Sequence, residues 1–405
     1  MKRIAYVSTY PPRRCGIATF TEHLLKSVSV AGKRGDVDPV IVLYNENDDD
    51  SVYRNDPKFW PLAAQDRAAY TRMAERINQS DVSVVVLQHE FGIFGGEAGE
   101  YILDFVHALK KPLVTTFHTV FADPQPPYRR IQQQIADASD AIVVMNRQAI
   151  PYLTRAFNLP EQKIFYIPHG SPEPRGEERD RLRRRLGFEG RKVMLTFGLL
   201  NRGKGIESVI SALPGVVREV PEALYVIAGQ THPEVKKREG EAYREELQEM
   251  IRRLGLEENV RMIDRYFSEE ELVDYLTACD LYVTPYPGMQ QITSGTLAYA
   301  VGVGRPVLST PYEHARDLLR GCEELLLPYG DIEAWERQLR RLLVDETALR
   351  QWEERIRKIG EATHWPRVGE QYLQLFAKLC GETDGDEKSA ERFEGEVKPV
   401  VSVSR

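Results

Sequence analysis

The chain has 405 residues, of which 42% are hydrophobic and 28% are charged, as is usual for a globular protein with buried cores. Its formal charge of −7 gives no overall attraction for nucleic acid or for an anionic membrane. The net charge excludes neither a local basic patch nor peripheral membrane contact. The length suits two domains, each large enough to enclose its own core.

The cysteines and the N-terminal sequence indicate the cellular compartment of the protein. Four cysteines lie far apart and lack the spacing of metal ligands, so we expect neither a disulfide framework nor a structural metal. The first apolar run stops at Pro11-Pro12 and is too short for a signal peptide, and no apolar stretch reaches 18 residues. We therefore expect a cytoplasmic protein without a transmembrane segment.

Short apolar runs alternate with helix-length segments along residues 1–168, which predicts a mostly parallel sheet flanked by helices. The predicted strands are Arg3 to Ser8, Val40 to Leu43, Val82 to Gln88, Leu113 to Phe117, Ala141 to Met145 and Ile164 to Ile167. A polar segment rich in proline and arginine, residues 169–190, interrupts this rhythm. We expect a linker there, and we expect its arginine run at 181–185 to form a solvated helix face.

The alternation then restarts, so the fold class is α/β with two Rossmann-like, doubly wound domains, at 1–175 and 190–365. The predicted strands of the second domain are Lys192 to Phe197, Leu224 to Ala228, Val260 to Ile263, Leu281 to Thr284, Pro306 to Ser309 and Glu324 to Leu327. A helix pair over 335–358 and a last helix after Trp365-Pro366 follow. The charged tail 382–405 is predicted to be disordered.

Ligands of doubly wound sheets bind beyond the carboxyl ends of the strands, so the residues there are candidates for the site. In the first half Gly16 precedes a helix, and Gln88, His89 and Glu90 follow the third predicted strand. His118 follows the fourth. A histidine in this position can contact a reacting group, or it can be a structural residue whose hydrogen bonds are satisfied. We expect Gln88, His89 and Glu90 to face the acceptor, where His89-Glu90 can position its hydroxyl or cap a turn.

In the second half the loop GLLNRGKG, from Gly198 to Gly205, joins a strand to a helix. It lacks the glycine spacing and the hydroxyl residue of a Walker motif, which argues against ATP hydrolysis. Arg202 and Lys204 could neutralise a diphosphate at this junction, or they could be two solvated charges.

The stretch from 280 to 311 predicts a strand, a short helix and another strand. The helix opens with Ser294, Gly295 and Thr296, where unpaired backbone N–H groups and the helix dipole favour an anion such as a phosphate. A tightly packed crossover helix with a hydroxyl cap is the structural alternative.

Together these stretches resemble the retaining nucleotide-sugar glycosyltransferases of family 4, over nearly all of residues 1–380. The motifs that carry the resemblance are STYPPRRCGIATF, VTTFHT, IPHGSPE, FGLLNRGKG and SGTLAYAVGVGRPVLSTP. It implies the GT-B fold, in which an N-terminal acceptor domain and a C-terminal donor domain face each other across a cleft. It also implies that the last helix, 366–380, completes the N-terminal domain.

The resemblance assigns roles to the candidate residues. Gly16 lies in the family's first glycine loop, and His118 matches its active-site histidine. Gly198 and Lys204 fall in the loop that binds the donor phosphates, and SGTLAYAVG matches the donor-binding helix. No metal ion or cofactor is implied, because the protein's own groups meet the charge of the leaving diphosphate.

The chain departs from the family pattern at three positions. Leu199 stands where members usually carry arginine, and Arg202 is the candidate substitute. Gln291 and Tyr299 stand where members usually carry two glutamates, the second of which holds the donor ribose. These departures predict a subfamily that holds its donor differently.

The resemblance thus predicts a retaining hexosyltransferase that moves a sugar from a nucleoside diphosphate sugar to a hydroxyl acceptor, with His118, Lys204 and Arg202 as its catalytic groups. A glycoside phosphorylase on the same fold is an alternative, favoured by loss of the glutamate that holds the ribose. A non-catalytic sugar-nucleotide-binding protein is another. The sequence leaves the base, the sugar, the acceptor and the linkage open.

Overall fold

A computed structural model describes residues 3–33, 38–45 and 51–381. The chain divides into two compact units. The first runs from Met1 to Gly170 and resumes at Trp365, and the second comprises Ser171–His364. The predicted tail 382–405 lies outside the described residues.

The first unit is a seven-stranded parallel sheet with the order β3-β2-β1-β4-β5-β6-β7. Its strands read as almost continuous apolar runs because helices cover both faces of such a sheet. Strands and helices follow in the order β1 (Arg3–Ser8), α1 (Gly16–Ala31), β2 (Val40–Tyr44), α2 (Ser51–Arg54), β3 (Phe59–Ala63), α3 (Arg67–Gln79), β4 (Val82–His89), α4 (Ile102–Ala108), β5 (Leu113–Phe117), α5 (Tyr128–Ala138), β6 (Ala141–Val144), α6 (Ala149–Phe157) and β7 (Ile164–Tyr166).

One strand of this sheet, β3, was not predicted. Its sequence FWPLA contains Pro61, which cannot donate a hydrogen bond to a neighbouring strand. The strand nevertheless forms because it lies at the edge of the sheet, where only β2 pairs with it.

The second unit is a five-stranded parallel sheet with the order β10-β9-β8-β11-β12. The predicted fold class of two doubly wound α/β domains is therefore confirmed. The elements are α7 (Arg179–Leu186), β8 (Lys192–Phe197), α8 (Ile206–Glu219), β9 (Ala223–Ala228), α9 (Pro233–Glu239), α10 (Ala242–Arg253), β10 (Val260–Ile263), α11 (Glu269–Ala278), β11 (Leu281–Thr284), α12 (Gly295–Gly302), β12 (Val307–Ser309), α13 (Glu313–Leu318), α14 (Ile332–Val344) and α15 (Glu346–Glu361).

The last helix, α16 (Trp365–Leu379), lies in the first unit and packs along α1. Val368, Tyr372 and Phe376 are fully buried in the core that α1 shares with the sheet. The Tyr372 hydroxyl lies 2.9 Å from that of Thr116 on β5. This helix therefore fills one face of the first sheet although it lies about 200 residues away in sequence from β7.

Two expectations about the second unit differ from the structure. Residues 169–190 do not form a linker, because α7 packs into this unit through Leu182, and Arg179 and Arg183 both pair with Asp280. The predicted strand Glu324–Leu327 is wrong. A 3₁₀ turn occupies Glu323–Leu325, and Leu326 makes only an isolated bridge to Ser309.

Candidate functional site

The loop after β8 is drawn tightly against the start of α12. Gly198 has a φ of 122°, a conformation that favours glycine. A Cβ atom at Gly198 would lie 3.2 Å from Lys204 Nζ and 3.3 Å from Thr296 Cγ2. Three predicted site residues, two from the loop after β8 and one from the start of α12, therefore meet at the carboxyl ends of β8 and β11.

Tyr286, just after β11, holds the Lys204 amine at this point. Lys204 Nζ donates to the Tyr286 hydroxyl at 2.6 Å and lies 4.6 Å from the centre of its ring. The Tyr286 side chain is 1% exposed and stacks on Tyr312 at 5.1 Å. Burial alone would raise the pKa of Tyr286, but the charge and hydrogen bond of Lys204, together with the hydrogen bonds of Thr296 and Thr284, outweigh it, so the pKa lies below its ordinary value.

The same hydroxyl connects Lys204 to the N-terminus of α12. The Tyr286 oxygen lies 2.9 Å from Thr296 Oγ1, which in turn lies 3.3 Å from Ser294 Oγ. An ammonium group can only donate hydrogen bonds, so the Tyr286 oxygen accepts from Lys204 and its own proton is available to Thr296. The Thr296 hydroxyl proton can then be directed to a ligand.

The start of α12 is capped by the Ser294 side chain and fixed by a hydrogen bond to His314. Ser294 Oγ accepts from Leu297 N at 3.4 Å, and Ser294 N donates to His314 Nδ1 at 2.8 Å. Backbone N–H groups in the first turn of a helix have no partner within the helix, and the dipole makes this end positive. With Lys204 beside it, this end of α12 is suited to an anion.

The Arg202 side chain does not turn toward the start of α12 but pairs with Glu246. Its guanidinium makes two hydrogen bonds to Glu246, at 2.7 and 2.6 Å, and its side chain is 54% exposed. Lys204, two residues later, turns inward to Tyr286. The structure therefore brings Lys204, but not Arg202, to the start of α12.

Gln291 and Tyr299 stand at the two positions where family 4 members usually carry glutamates, and neither supplies a carboxylate. Gln291 is exposed, and its side-chain amide donates to the backbone carbonyl of Thr293 at 3.0 Å. Tyr299 is 8% exposed, and its hydroxyl donates to Glu269 Oε2 at 2.7 Å. A carboxylate from α11 thus lies beside the position where family 4 members carry their second glutamate.

In the first unit, His118 lies at the carboxyl end of β5 and is 7% exposed. Its Nε2 atom lies 2.9 Å from Gln88 Oε1, and its ring packs edge-on to Phe20 of α1 at 4.8 Å. Burial first, and then the neighbouring His169 and His89, lower the pKa of His118 to about 3. His118 is therefore neutral at pH 7 and can hydrogen-bond without bearing a charge.

The three predicted acceptor residues differ in access. Gln88 and His89 are completely buried, and neither ring nitrogen of His89 has a hydrogen-bond partner among the described residues. Burial lowers the pKa of His89 to about 3. Glu90 is half-buried and accepts from Thr119 Oγ1 at 2.6 Å. Burial raises the pKa of Glu90, opposed by the hydrogen bonds from Thr119 and Phe91 N.

Gly16 is the first residue of α1, whose N-terminus is capped by the Cys15 thiol 3.4 Å from Ala18 N. A Cβ atom at Gly16 would meet no atom within 4 Å. Internal packing therefore does not require a glycine at this position.

The described part of the chain has neither a metal-binding cluster nor a membrane-spanning helix. Within residues 3–33, 38–45 and 51–381, no three histidine, cysteine or carboxylate side chains are grouped so that they could hold a metal ion. In the same ranges, no helix combines the length and apolar content required to cross a bilayer.

Sequence reasoning assigned no role to Tyr286, which follows β11 as part of the motif TPYPG. A tyrosine that closely follows a buried strand is a candidate ligand-binding residue, because ligands of doubly wound sheets bind beyond the carboxyl ends of the strands. Its partner Lys204 lies 82 residues away, so only the tertiary structure identifies the pair.

Two family models match the chain. Residues 27–172 match "Glycosyltransferase Family 4", and residues 178–359 match "Glycosyl transferases group 1". These two matches fall on the two units in turn and together cover most of the chain.

Curated relatives of the chain are also glycosyltransferases. The chain is 26% identical over 295 residues to the GDP-mannose-dependent alpha-(1-6)-phosphatidylinositol monomannoside mannosyltransferase of Mycolicibacterium smegmatis, an alignment that covers 68% of this chain and 70% of that protein. It is 25% identical over 288 residues to the D-inositol 3-phosphate glycosyltransferase of Xylanimonas cellulosilytica, with 66% of each protein covered.

A solved structure shares the fold. Anabaena Alr3699/HepE in complex with UDP and glucose superimposes with a TM-score of 0.73 at 15% identity, covering 93% of this chain and 100% of that one. At such low identity the match concerns the fold alone. The family matches and the curated relatives confirm the predicted family and enzyme class: this chain belongs to the family 4 glycosyltransferases of the GT-B fold and is a hexosyltransferase.

Proposed function

We propose that this enzyme transfers a hexose, with retention at the anomeric carbon, from a nucleoside diphosphate sugar to a hydroxyl acceptor in the cytoplasm. The observation that carries the proposal is the Lys204 amine, fixed by Tyr286 beside the start of α12. The donor diphosphate binds there, on the backbone N–H groups of the first turn and the hydroxyls of Ser294 and Thr296. Retaining enzymes with this fold have no evident protein nucleophile, and we assign none.

Charge stabilisation at the leaving diphosphate is the chemical task of this site. As the bond to the sugar breaks, negative charge develops on the phosphate oxygens. A fixed ammonium group and oriented hydroxyl and N–H donors stabilise that charge more than the ground state, which lowers the barrier. We infer that these protein groups meet the charge without a metal ion and that Arg202, held by Glu246, contributes little.

The position of Glu269 favours a nucleotide donor over the inorganic phosphate that a phosphorylase would use. Its carboxylate accepts the Tyr299 hydroxyl and lies next to the position of the usual ribose-binding glutamate. We infer that the Tyr299–Glu269 pair contacts the ribose, a task that a phosphorylase using inorganic phosphate would not need. The Mycolicibacterium relative is GDP-mannose-dependent and the Anabaena structure is a complex with UDP, so the two differ in the nucleotide base. The thermal-shift screen described next therefore tests which base this enzyme binds.

Thermal shift with UDP-, GDP- and ADP-sugars identifies the donor, because a ligand that binds only the folded protein raises its apparent stability. Lys204→Met is then expected to reduce kcat with that donor by roughly 100-fold, as loss of a fixed transition-state donor does. Arg202→Met is the matched control, and we expect less than a threefold change. Full activity of Lys204→Met would contradict the phosphate assignment.

Inorganic phosphate serves as a second ligand in the same screen. A shift with phosphate alone, together with release of a sugar 1-phosphate from a disaccharide, would identify a phosphorylase. Nucleotide binding without turnover on any hydroxyl acceptor would identify a non-catalytic sugar-nucleotide-binding protein.

A further inference from the structure

Three aromatic side chains form a cluster on the first unit, which we call the aromatic platform: Phe91, Phe121 and Tyr128. The ring of Phe91 stacks on Phe121 at 6.0 Å and 21°, and meets Tyr128 edge-on at 4.9 Å. Phe121 and Tyr128 are tilted against each other at 5.6 Å. Phe91 is 6% exposed beneath the other two, whereas Phe121 is half-buried and Tyr128 is 39% exposed. Two aromatic rings therefore reach the surface on a packed base.

The platform lies at the edge of the sheet where a substrate is expected. Phe91 follows β4, Phe121 follows β5, and these two strands are parallel neighbours, so their carboxyl ends share one edge. His118 directly follows β5 and Tyr128 begins α5.

A carboxylate is fixed on the same two loops. Glu90 immediately precedes Phe91, and its Oε2 atom accepts from Thr119 Oγ1 at 2.6 Å. Gln132 Nε2 donates to the Thr119 carbonyl at 2.8 Å, so the loop that carries Phe121 is tied to α5. The Glu90–Thr119 hydrogen bond and the Phe91–Phe121 stack therefore hold the carboxylate and the rings together.

These groups fit a ligand that has an apolar face and a rim of hydroxyls. Such a ligand is a cyclic polyol, because C–H groups on one side of its ring pack on an aromatic face, whose quadrupole is negative. A carboxylate accepts hydrogen bonds from the hydroxyls at the rim. A lipid chain needs more apolar area than two rings provide, and the neighbouring carboxylate disfavours a phosphate group.

We propose that Phe121 and Tyr128 bind the ring of a cyclic polyol acceptor, a pyranoside or a cyclitol, and that Glu90 accepts a hydrogen bond from one of its hydroxyls. This inference rests on the proposed function in one respect, which is that a transferase requires a hydroxyl acceptor. It narrows that acceptor from any hydroxyl compound to a ring polyol.

Binding is tested without a donor, by saturation-transfer NMR on the full chain. The probes are methyl α-D-mannopyranoside, methyl α-D-glucopyranoside and myo-inositol, with linear sorbitol as the comparison. We expect saturation of ring C–H protons for at least one cyclic probe and at least a fivefold weaker signal for sorbitol. Equal signals from sorbitol and every cyclic probe, or no signal from any cyclic probe, would overturn the proposal.

Variants separate aromatic stacking from simple burial. Phe121→Ala, Phe121→Leu and Tyr128→Ala are expected to weaken the signal at least fivefold, whereas Phe121→Tyr and Tyr128→Phe should retain it because each keeps an aromatic ring. Binding by Phe121→Leu equal to that of the unmodified protein would contradict stacking. Thermal unfolding of each variant checks that it folds, which we expect since neither ring is fully buried.

Hydrolysis of the donor, in which water takes the place of the acceptor, distinguishes failure of this inference from failure of the proposed function. In platform variants, transfer to the cyclic acceptor should fall relative to hydrolysis of the donor identified by thermal shift, and the KM for that acceptor should rise about tenfold. Lys204→Met should lose both reactions. An equal loss of transfer and hydrolysis in the platform variants, or an unchanged acceptor KM, contradicts the platform. Absence of both reactions in the unmodified protein contradicts only the proposed function.

Discussion

At the scale of single residues, Tyr286 links the only lysine of the loop after β8 to the helix that begins at Gly295. Its hydroxyl accepts from the amine and faces the Thr296 hydroxyl, so one atom fixes the direction of two donors. A leucine at 199, where family 4 members usually carry arginine, leaves this loop with one inward cation. The position of that cation therefore matters more than in a site with two.

Tyr286→Phe is expected to lower affinity for the cognate nucleoside diphosphate about tenfold while affinity for the nucleoside stays unchanged. The reason is that the hydroxyl acts on phosphate through Lys204 and Thr296 and touches neither base nor ribose in this assignment. Hydrogen bonds to charged groups are worth about 1.5–3 kcal/mol, and a tenfold effect lies at the low end of that range. Isothermal titration calorimetry with UDP and uridine, and with GDP and guanosine, measures both affinities.

Tyr225→Phe is the matched control. It removes another buried tyrosine hydroxyl of the same unit, one that lies 2.8 Å from Thr196 instead of contacting Lys204. If Tyr286→Phe and Tyr225→Phe change the ratio of nucleotide to nucleoside affinity equally, Tyr286 has no special role. In combination with Lys204→Met, Tyr286→Phe should cost less than it does alone, because the part of its effect that acts through Lys204 is already lost.

At the scale of elements, the first unit depends on the close approach of α16 to α1. A Cβ atom at Gly369 would lie 2.5 Å from the backbone carbonyl carbon of Ser27. Glycine is therefore required at this helix crossing, although glycine is unfavourable inside a helix.

Gly369→Ala tests this packing. Helix propensity alone would stabilise the variant by about 1 kcal/mol, whereas forcing α16 away from α1 costs about 1–3 kcal/mol or more. We expect the clash to dominate and the free energy of unfolding, measured by urea denaturation, to fall. Gly92→Ala, where the new Cβ would meet no atom within 4 Å, should change stability little. A Gly369→Ala protein as stable as the unmodified one would show that the helices can separate at no cost.

At the scale of the whole molecule, three buried histidines make the first unit sensitive to acid. Burial lowers the pKa of His89 and His118 to about 3 and that of His169 to about 4. These rings are neutral in the folded state and take up protons in the unfolded chain. The unfolding free energy therefore falls as the pH drops below the ordinary histidine value of about 6.5, and this loss continues down to pH 4 or 3.

The expected outcome is selective opening of the first unit between pH 6 and 4. At pH 5 one such histidine contributes a loss of about 2 kcal/mol, a large share of a domain stability of about 5–15 kcal/mol. Peptic cleavage followed by mass spectrometry should report sites in 3–170 and 365–381 before sites in 171–364. His89→Leu should shift the onset to lower pH, because His89 has no ring hydrogen bond to lose.

The exposed His107 provides a matched control, since His107→Leu should leave the onset where it is. Earlier cleavage in the second unit, or an unchanged onset in His89→Leu, would contradict this account.

The periodicity of apolar runs was sufficient for the fold, because strands buried on both faces leave a strong signal in sequence. Of the twelve strands in the described residues, it predicted eleven at nearly their observed bounds and failed at Phe59–Ala63, where a proline is tolerated only because the strand is at an edge. It also predicted a strand at Glu324–Leu327, where the structure has a turn. The arginine-rich segment 169–190 was misjudged because its charges pair with Asp280, a partner about 100 residues away.

The sequence alone determined the family, the two α/β domains and the loops that carry the site, since each depends on local spacing that repeats along the chain. Only the tertiary structure decided which cation turns inward, because Arg202 and Lys204 are separated by one residue and differ only in their distant partners, Glu246 and Tyr286. It likewise decided that Tyr299 meets Glu269, and that Phe91, Phe121 and Tyr128 form one surface. Contacts between distant residues follow from how strands and helices pack, which no local pattern of residues encodes.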